Sequence, residues 1–106
     1  MVHSLPPITI TQNQLTQVTA TPKRVQSVTF TPNPTNSAAI FVFDTSTGSL
    51  VTLTGCIRVV GAPVSSQFFS ETITQQNSPG GIDISKLYVG GNSNSTDIVV
   101  ISYVMG

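Results

Sequence analysis

Few side chains in this sequence are equipped for chemistry. It offers one cysteine, one histidine, four acidic residues and four basic ones. For Cys56 to act as a nucleophile it would need a base within hydrogen-bond reach and a third group to orient that base. The base could only be His3, which sits near the start of the sequence, where fixed geometry is hard to hold. Cys56 also falls within an apolar/polar alternation, where a free cysteine serves as a small hydrophobe. One Cys and one His cannot supply the four ligands of a structural zinc site. Asp44, Glu71, Asp83 and Asp97 are scattered among turns and strands, with no spacing that pairs a general acid with a general base. The expectation is no catalytic residue, no cofactor and no metal.

Two glycine-rich segments bear on binding. Ser78-Pro79-Gly80-Gly81 and Gly90-Gly91-Asn92 lack the Gly-Lys-Ser/Thr ending of a phosphate-cradling loop, and no helical pattern follows either. Asn92, Asn94, Thr96 and Asp97 alternate oxygen-bearing side chains as a calcium loop does, but with a single carboxylate where such loops use several. A hairpin connection is the simpler reading. Asn94-Ser95-Thr96 matches the glycosylation acceptor pattern, but Met1-Val2-His3-Ser4 has no basic start leading into an apolar stretch, so no secretory signal is expected. A sugar-binding module is the alternative for a β-rich chain. Such modules stack Trp or Tyr on the sugar ring; this chain has no Trp, and Tyr88 and Tyr103 lie in apolar runs.

The elements that would hold these residues are strands. Of 106 residues, 44 are Val, Ile, Thr, Phe or Tyr, which suit a pleated sheet, against 23 straight-chain helix formers. The length is that of one small domain. Charged residues make up 8% and cancel to a formal net charge of zero, so nothing draws the chain to nucleic acid or anionic membrane. The longest apolar run, residues 38–43, is too short to span a bilayer as a helix. A lone cysteine forms no internal disulfide, which points to folding in a reducing cytosol. A neutral Ser/Thr-rich surface suits packing against other chains, because little charge has to be desolvated.

Residues 1–22 read as an extended arm that orders against a sheet or a neighbouring subunit, with Pro6 and Pro7 opposing helix and Ile8, Ile10 and Leu15 needing cover. Residues 23–106 read as the domain proper. Strands are expected over 24–31, 38–44, 50–60, 67–74, 82–89 (broken near Ser85-Lys86) and 98–105, separated by Pro, Gly and Asn turns. Gly55 marks a bulge or a close backbone approach. The fold class is all-β, an antiparallel β-sandwich or jelly-roll-like barrel. Val28, Phe30, Phe41, Val51, Leu53, Ile57 and Val59 are the expected core. Residues 38–43 and 98–105 are apolar on both faces, yet a sandwich gives each sheet one inner face. With Phe41 and Phe43 inward, Ile40 and Val42 need cover, as do Ile98 and Val100; these four are the candidate subunit contacts.

In order along the chain come Val28-Thr29-Phe30, Asn33-Pro34-Thr35-Asn36, Ile40-Phe41-Val42-Phe43, Pro79-Gly80-Gly81-Ile82-Asp83-Ile84, Lys86-Leu87-Tyr88-Val89-Gly90-Gly91 and Ile98-Val99-Val100-Ile101-Ser102-Tyr103. This series resembles small β-sandwich virion proteins of tailed bacteriophages over roughly residues 24–104. The resemblance implies a capsid decoration (cement) protein, made in the host cytoplasm and carried on the virion. It would bind the major capsid protein as a homo-oligomer, a trimer on a three-fold lattice site. A tail or head–tail component is the alternative within that class.

Overall fold

The computed structural model describes residues 2–33, 36, 38–60, 70–74, 81–91 and 97–105. These residues form eleven strands. They are β1 (Val2–Ser4), β2 (Ile8–Thr9), β3 (Gln14–Gln17), β4 (Arg24–Val25), β5 (Ser27–Pro32), β6 (Ile40–Phe43), β7 (Cys56–Val60), β8 (Glu71–Thr74), β9 (Ile82–Asp83), β10 (Tyr88–Gly91) and β11 (Ile98–Val104). Every strand pair is antiparallel. A five-stranded sheet runs β1-β11-β5-β8, with β2 also on β11, and a four-stranded sheet runs β3-β10-β6-β7. A short β4–β9 ribbon accompanies them. The fold is an antiparallel β-sandwich, and the described residues contain no α-helix. Ile84–Lys86 form a single 3-10 turn, which is the break expected near Ser85-Lys86.

Strand alternation builds the core between the sheets. Val99, Ile101 and Tyr103 of β11 and Val28 and Phe30 of β5 are buried from one sheet. Ile40 and Val42 of β6, Val60 of β7 and Val89 of β10 meet them from the other. Burying a side chain of this size contributes roughly 1.5–3 kcal/mol, so this layer dominates stability.

Residues 2–17, expected within an extended arm, are edge strands of both sheets. β1 and β2 run along β11 from Val104 to Ile98, with an extra residue at Pro6-Pro7 between the two registers. The Leu5 N–H donates to Ile101 O at 2.9 Å and the Ile10 N–H to Asp97 O at 2.8 Å. Ile10 is fully buried, Ile8 is half-buried against the core, and Pro6 and Pro7 stay exposed. The chain then crosses to the second sheet, where β3 pairs with β10.

The strand expected over residues 50–60 starts only at Cys56. Before it lies a turn in which the Ser49 hydroxyl accepts the N–H groups of Val51 (3.2 Å) and Thr52 (3.1 Å). Leu53 adopts φ 60° and Gly55 φ 86°, which no strand accommodates. Two expected core residues are consequently on the surface, Val51 (91% exposed) and Leu53 (38%); a third, Val59 (46%), lies within β7 on its outer face, opposite Phe41. Val28 and Phe30 are fully buried as expected, and Ile57 packs against the core. The inner and outer faces of β6 are reversed from expectation, with Ile40 and Val42 inside and Phe41 half-buried outside. Phe43, on the outer side, is buried because residues 44–55 fold over it; Gly48 lies directly against its ring. Gly55 does make a close approach, since a Cβ there would meet Thr45 Cγ2 at 2.7 Å.

Gly90 holds the four-stranded sheet together by having no side chain. A Cβ there would stand 2.7 Å from Gln14 O and 2.8 Å from Leu15 Cδ2. Gly90→Ala is expected to lower stability by about 1–3 kcal/mol in urea unfolding, the range for overpacking. Gly91→Ala, facing Ile10 Cγ2 at 3.2 Å, is expected to cost less. Equal losses from the two would contradict this packing.

Candidate functional site

The residues capable of chemistry are dispersed by the fold. His3 lies in the five-stranded sheet and Cys56 in the four-stranded one, so no nucleophile–base pair is assembled from them. The Cys56 thiol donates to Arg58 O at 3.3 Å. Asp44 follows β6, Glu71 opens β8, Asp83 ends β9 and the buried Asp97 precedes β11. Among the described residues, no three His, Cys, Asp or Glu side chains gather as a metal site would require. The oxygen-bearing run 92–96 lies outside the described residues, as do Phe68, Phe69 and the 75–80 turn.

His3, Tyr103 and Lys23 form one cluster. The His3 ring stacks on Tyr103 with centroids 5.2 Å apart and planes at 18°. The Lys23 ammonium donates to the Tyr103 hydroxyl at 2.9 Å and lies 5.0 Å from the ring centroid. Tyr103 is buried. Its ring is therefore engaged within the chain and is not presented for stacking on a sugar.

A second polar cluster sits at the other end of β11. The Asn36 amide, 3% exposed, donates to Ile98 O at 2.9 Å and accepts the Ile98 N–H at 2.8 Å, copying the pairing of a strand residue. The Asn33 N–H adds a bond to Ile98 O at 3.0 Å, and Asp97 Oδ2 accepts the Ala38 N–H at 3.2 Å. Asn33 and Asn36, three residues apart, are the sequence signal for this clamp. Sequence reasoning took them only for turn residues.

What remains as a recognition surface is the outer face of the five-stranded sheet. Register places Ser27, Thr29 and Thr31 of β5 on it, opposite Val104, Ser102 and Val100 of β11. Thr74 and Thr72 of β8 continue the rows from Ser27 and Thr29 on the other side. Thr29 and Thr72 share a hydroxyl hydrogen bond at 3.0 Å, as do Thr31 and Ser70 at 3.1 Å. Ile98 lies at the end of the same face, paired with Thr9. No formal charge occurs among these residues. Of the four candidate subunit contacts, Ile98 and Val100 are therefore on an outer face, half-buried. Ile40 and Val42 are fully enclosed in the core and unavailable to a second subunit. The cover that β6 needs comes from residues 44–55 of the same chain. Of the arm residues, Leu15 alone is half-buried on the outer side of the four-stranded sheet, next to Leu50.

Fold and surface together define an antiparallel β-sandwich whose larger sheet shows an uncharged hydroxyl and β-branched face. Family models, curated proteins and solved structures give no match to the chain.

Asp83 organises the ribbon beside this sandwich. Its Oδ1 accepts the Ser85 hydroxyl at 2.7 Å, the Ser85 N–H at 3.0 Å and the Lys23 N–H at 3.3 Å. The Ser85 hydroxyl above all, with these N–H groups and the charge of Arg24, holds the carboxyl below the usual carboxylate range against partial desolvation. A carboxyl lowered on folding adds stability that is complete above the unfolded value of about 4 and is lost as pH falls through the folded value. Asp83→Asn is expected to lower the urea midpoint at neutral pH. The gap to the unsubstituted protein should close as the pH falls through the folded value. A gap that does not change with pH would contradict this role.

Proposed function

We propose that this protein is a non-catalytic structural component of a virus particle, a decoration (cement) protein that docks on the outer capsid surface through the outer face of its five-stranded sheet. The observation that carries the reading is the composition of that face: Thr29, Thr31, Thr72, Thr74, Val100 and Val104 can be desolvated without burying a charge. The viral setting and the major capsid protein as partner rest on the resemblance of the ordered motifs between residues 24 and 104.

Size then constrains the mechanism. Four strands about 4.8 Å apart and seven residues at about 3.3 Å each give a face of roughly 400 Å². A standard interface uses about 800 Å² per partner. One face alone holds modestly, so reinforcement comes from one sandwich touching more than one capsid subunit, with many copies per particle. Separating two subunits then also requires breaking the contacts of the protein that bridges them.

Thr29→Lys combined with Val100→Lys should weaken attachment to particles by more than about tenfold, since each buried unpaired ammonium costs well over the 1.4 kcal/mol that a factor of ten represents. The far-ultraviolet circular dichroism should not change. Attachment of the unsubstituted protein should be nearly insensitive to salt, because screening acts on exposed charges. Copy number by quantitative mass spectrometry of purified particles completes the test. Hundreds of copies support decoration, whereas a handful, or release of folded protein by salt, would overturn it.

A further inference from the structure

We infer that Arg58 guards the open edge of the four-stranded sheet, keeping β7 from pairing with β7 of another copy. Among the described strands β7 pairs with β6 alone, so it ends the order β3-β10-β6-β7. An edge strand presents unpaired N–H and C=O groups that another strand can use as a template. At five residues β7 is the longest of the described edge strands, against three in β1, two in β2 and four in each of β3 and β8. It is also the most apolar of them, with Cys56, Ile57, Val59 and Val60 around a single arginine. The other edges carry their own obstacles. Pro6 and Pro7 separate β1 from β2, Glu71 opens β8, and β3 carries Gln14, Thr16 and Gln17.

Three features at Arg58 oppose edge pairing. The first is charge: between Asp44 and Glu71 the sequence holds no other charged residue. With a neutral residue at 58, β7 would be an uncharged run of sheet-forming side chains without proline, the composition that pairs between chains. Arg58 is exposed and central in β7. Full antiparallel pairing of two β7 strands would therefore set two Arg58 side chains directly opposite each other, where like charges repel.

The second feature is a capped carbonyl. The register with β6 runs Ile40↔Val60, Phe41↔Val59, Val42↔Arg58 and then Phe43↔Cys56, passing over Ile57. Arg58 Nη1 donates to the carbonyl of that skipped residue at 2.7 Å. An acceptor that the ladder passes over is thereby engaged within the strand itself. The third feature is the irregularity, which bends an edge strand and increases its twist, so a regular strand cannot follow it. This guard does not depend on what the five-stranded sheet binds, and it matters most where copies stand close together.

Light scattering and thioflavin T fluorescence of the folded full chain test the inference. The neutral variants Arg58→Gln and Arg58→Thr should form β-rich assemblies at a concentration at least about tenfold below that of the unsubstituted protein, a difference of 1.4 kcal/mol or more. Their Tm should not fall, because Arg58 is exposed. Arg58→Lys keeps the charge and should stay as soluble as the unsubstituted protein. Lys86→Gln removes the same charge from the 3-10 turn, away from any edge, and should also stay soluble. Adding Val59→Lys to Arg58→Gln returns a charge to the same strand and should restore solubility. Neutral Arg58 variants that fold and stay soluble would overturn the inference, as would Lys86→Gln assembling as readily as they do or Val59→Lys failing to rescue.

Discussion

The five-stranded sheet depends on the pairing of β11 along both of its edges. On one side β5 matches it over six residues, from Val99↔Pro32 to Val104↔Ser27. On the other side β1 and β2 share it between them, with a one-residue irregularity at the prolines. Each end is closed by side chains. Asn36 stands in for a strand residue at Ile98, while His3 and Lys23 enclose Tyr103. Without β1 and β2 the free edge would expose a row of unpaired backbone groups along a largely apolar strand, a combination that invites aggregation. The segment before residue 10 thus supplies the outer edge of the five-stranded sheet. Full burial of Ile10 anchors it where the chain leaves one sheet for the other.

The same chain covers its two outer faces unequally. Over the four-stranded sheet, residues 44–55 bury Phe43 and Leu50 and leave a groove beside Leu15. Over the five-stranded sheet the described residues provide no such cover, and Thr, Ser and Val side chains form the surface themselves. Threonine suits that position because its methyl group packs on the pleat while its hydroxyl pairs across strands, as at Thr29–Thr72. A surface of this kind stays soluble through its hydroxyls and still carries no charge to desolvate when a partner arrives.

What could be read from the sequence was set by period and composition. The β-branched and threonine content fixed the class, and alternation in residues 24–31 put Val28 and Phe30 on the correct face. Two features were not legible. Alternation over residues 50–60 suggested a strand because apolar residues that cover a sheet from outside can fall at the same period as those within it. The deciding factors were local, namely the Ser49 cap and the left-handed backbone at Leu53 and Gly55. For β6, apolar at every position, periodicity could not choose the inner face; Ile40 and Val42 lie inside, and residues 44–55 cover Phe43 on the outer side. The uncharged face was visible only in part, as Ile98 and Val100. Thr29 and Thr72 are 43 residues apart in the chain, and only strand pairing brings them together.

Native-state amide hydrogen exchange, resolved by residue, tests most directly whether the first strands belong to the sandwich. The N–H groups of Leu5 and Ile10 donate to Ile101 and Asp97 within the chain. They should therefore exchange through global unfolding, as slowly as the amides of Phe30 and Ile101 in the isolated protein. Exchange of Leu5 and Ile10 at the rate of an unstructured peptide, while Phe30 and Ile101 remain protected, would show that residues 2–9 form a free arm and would contradict the account.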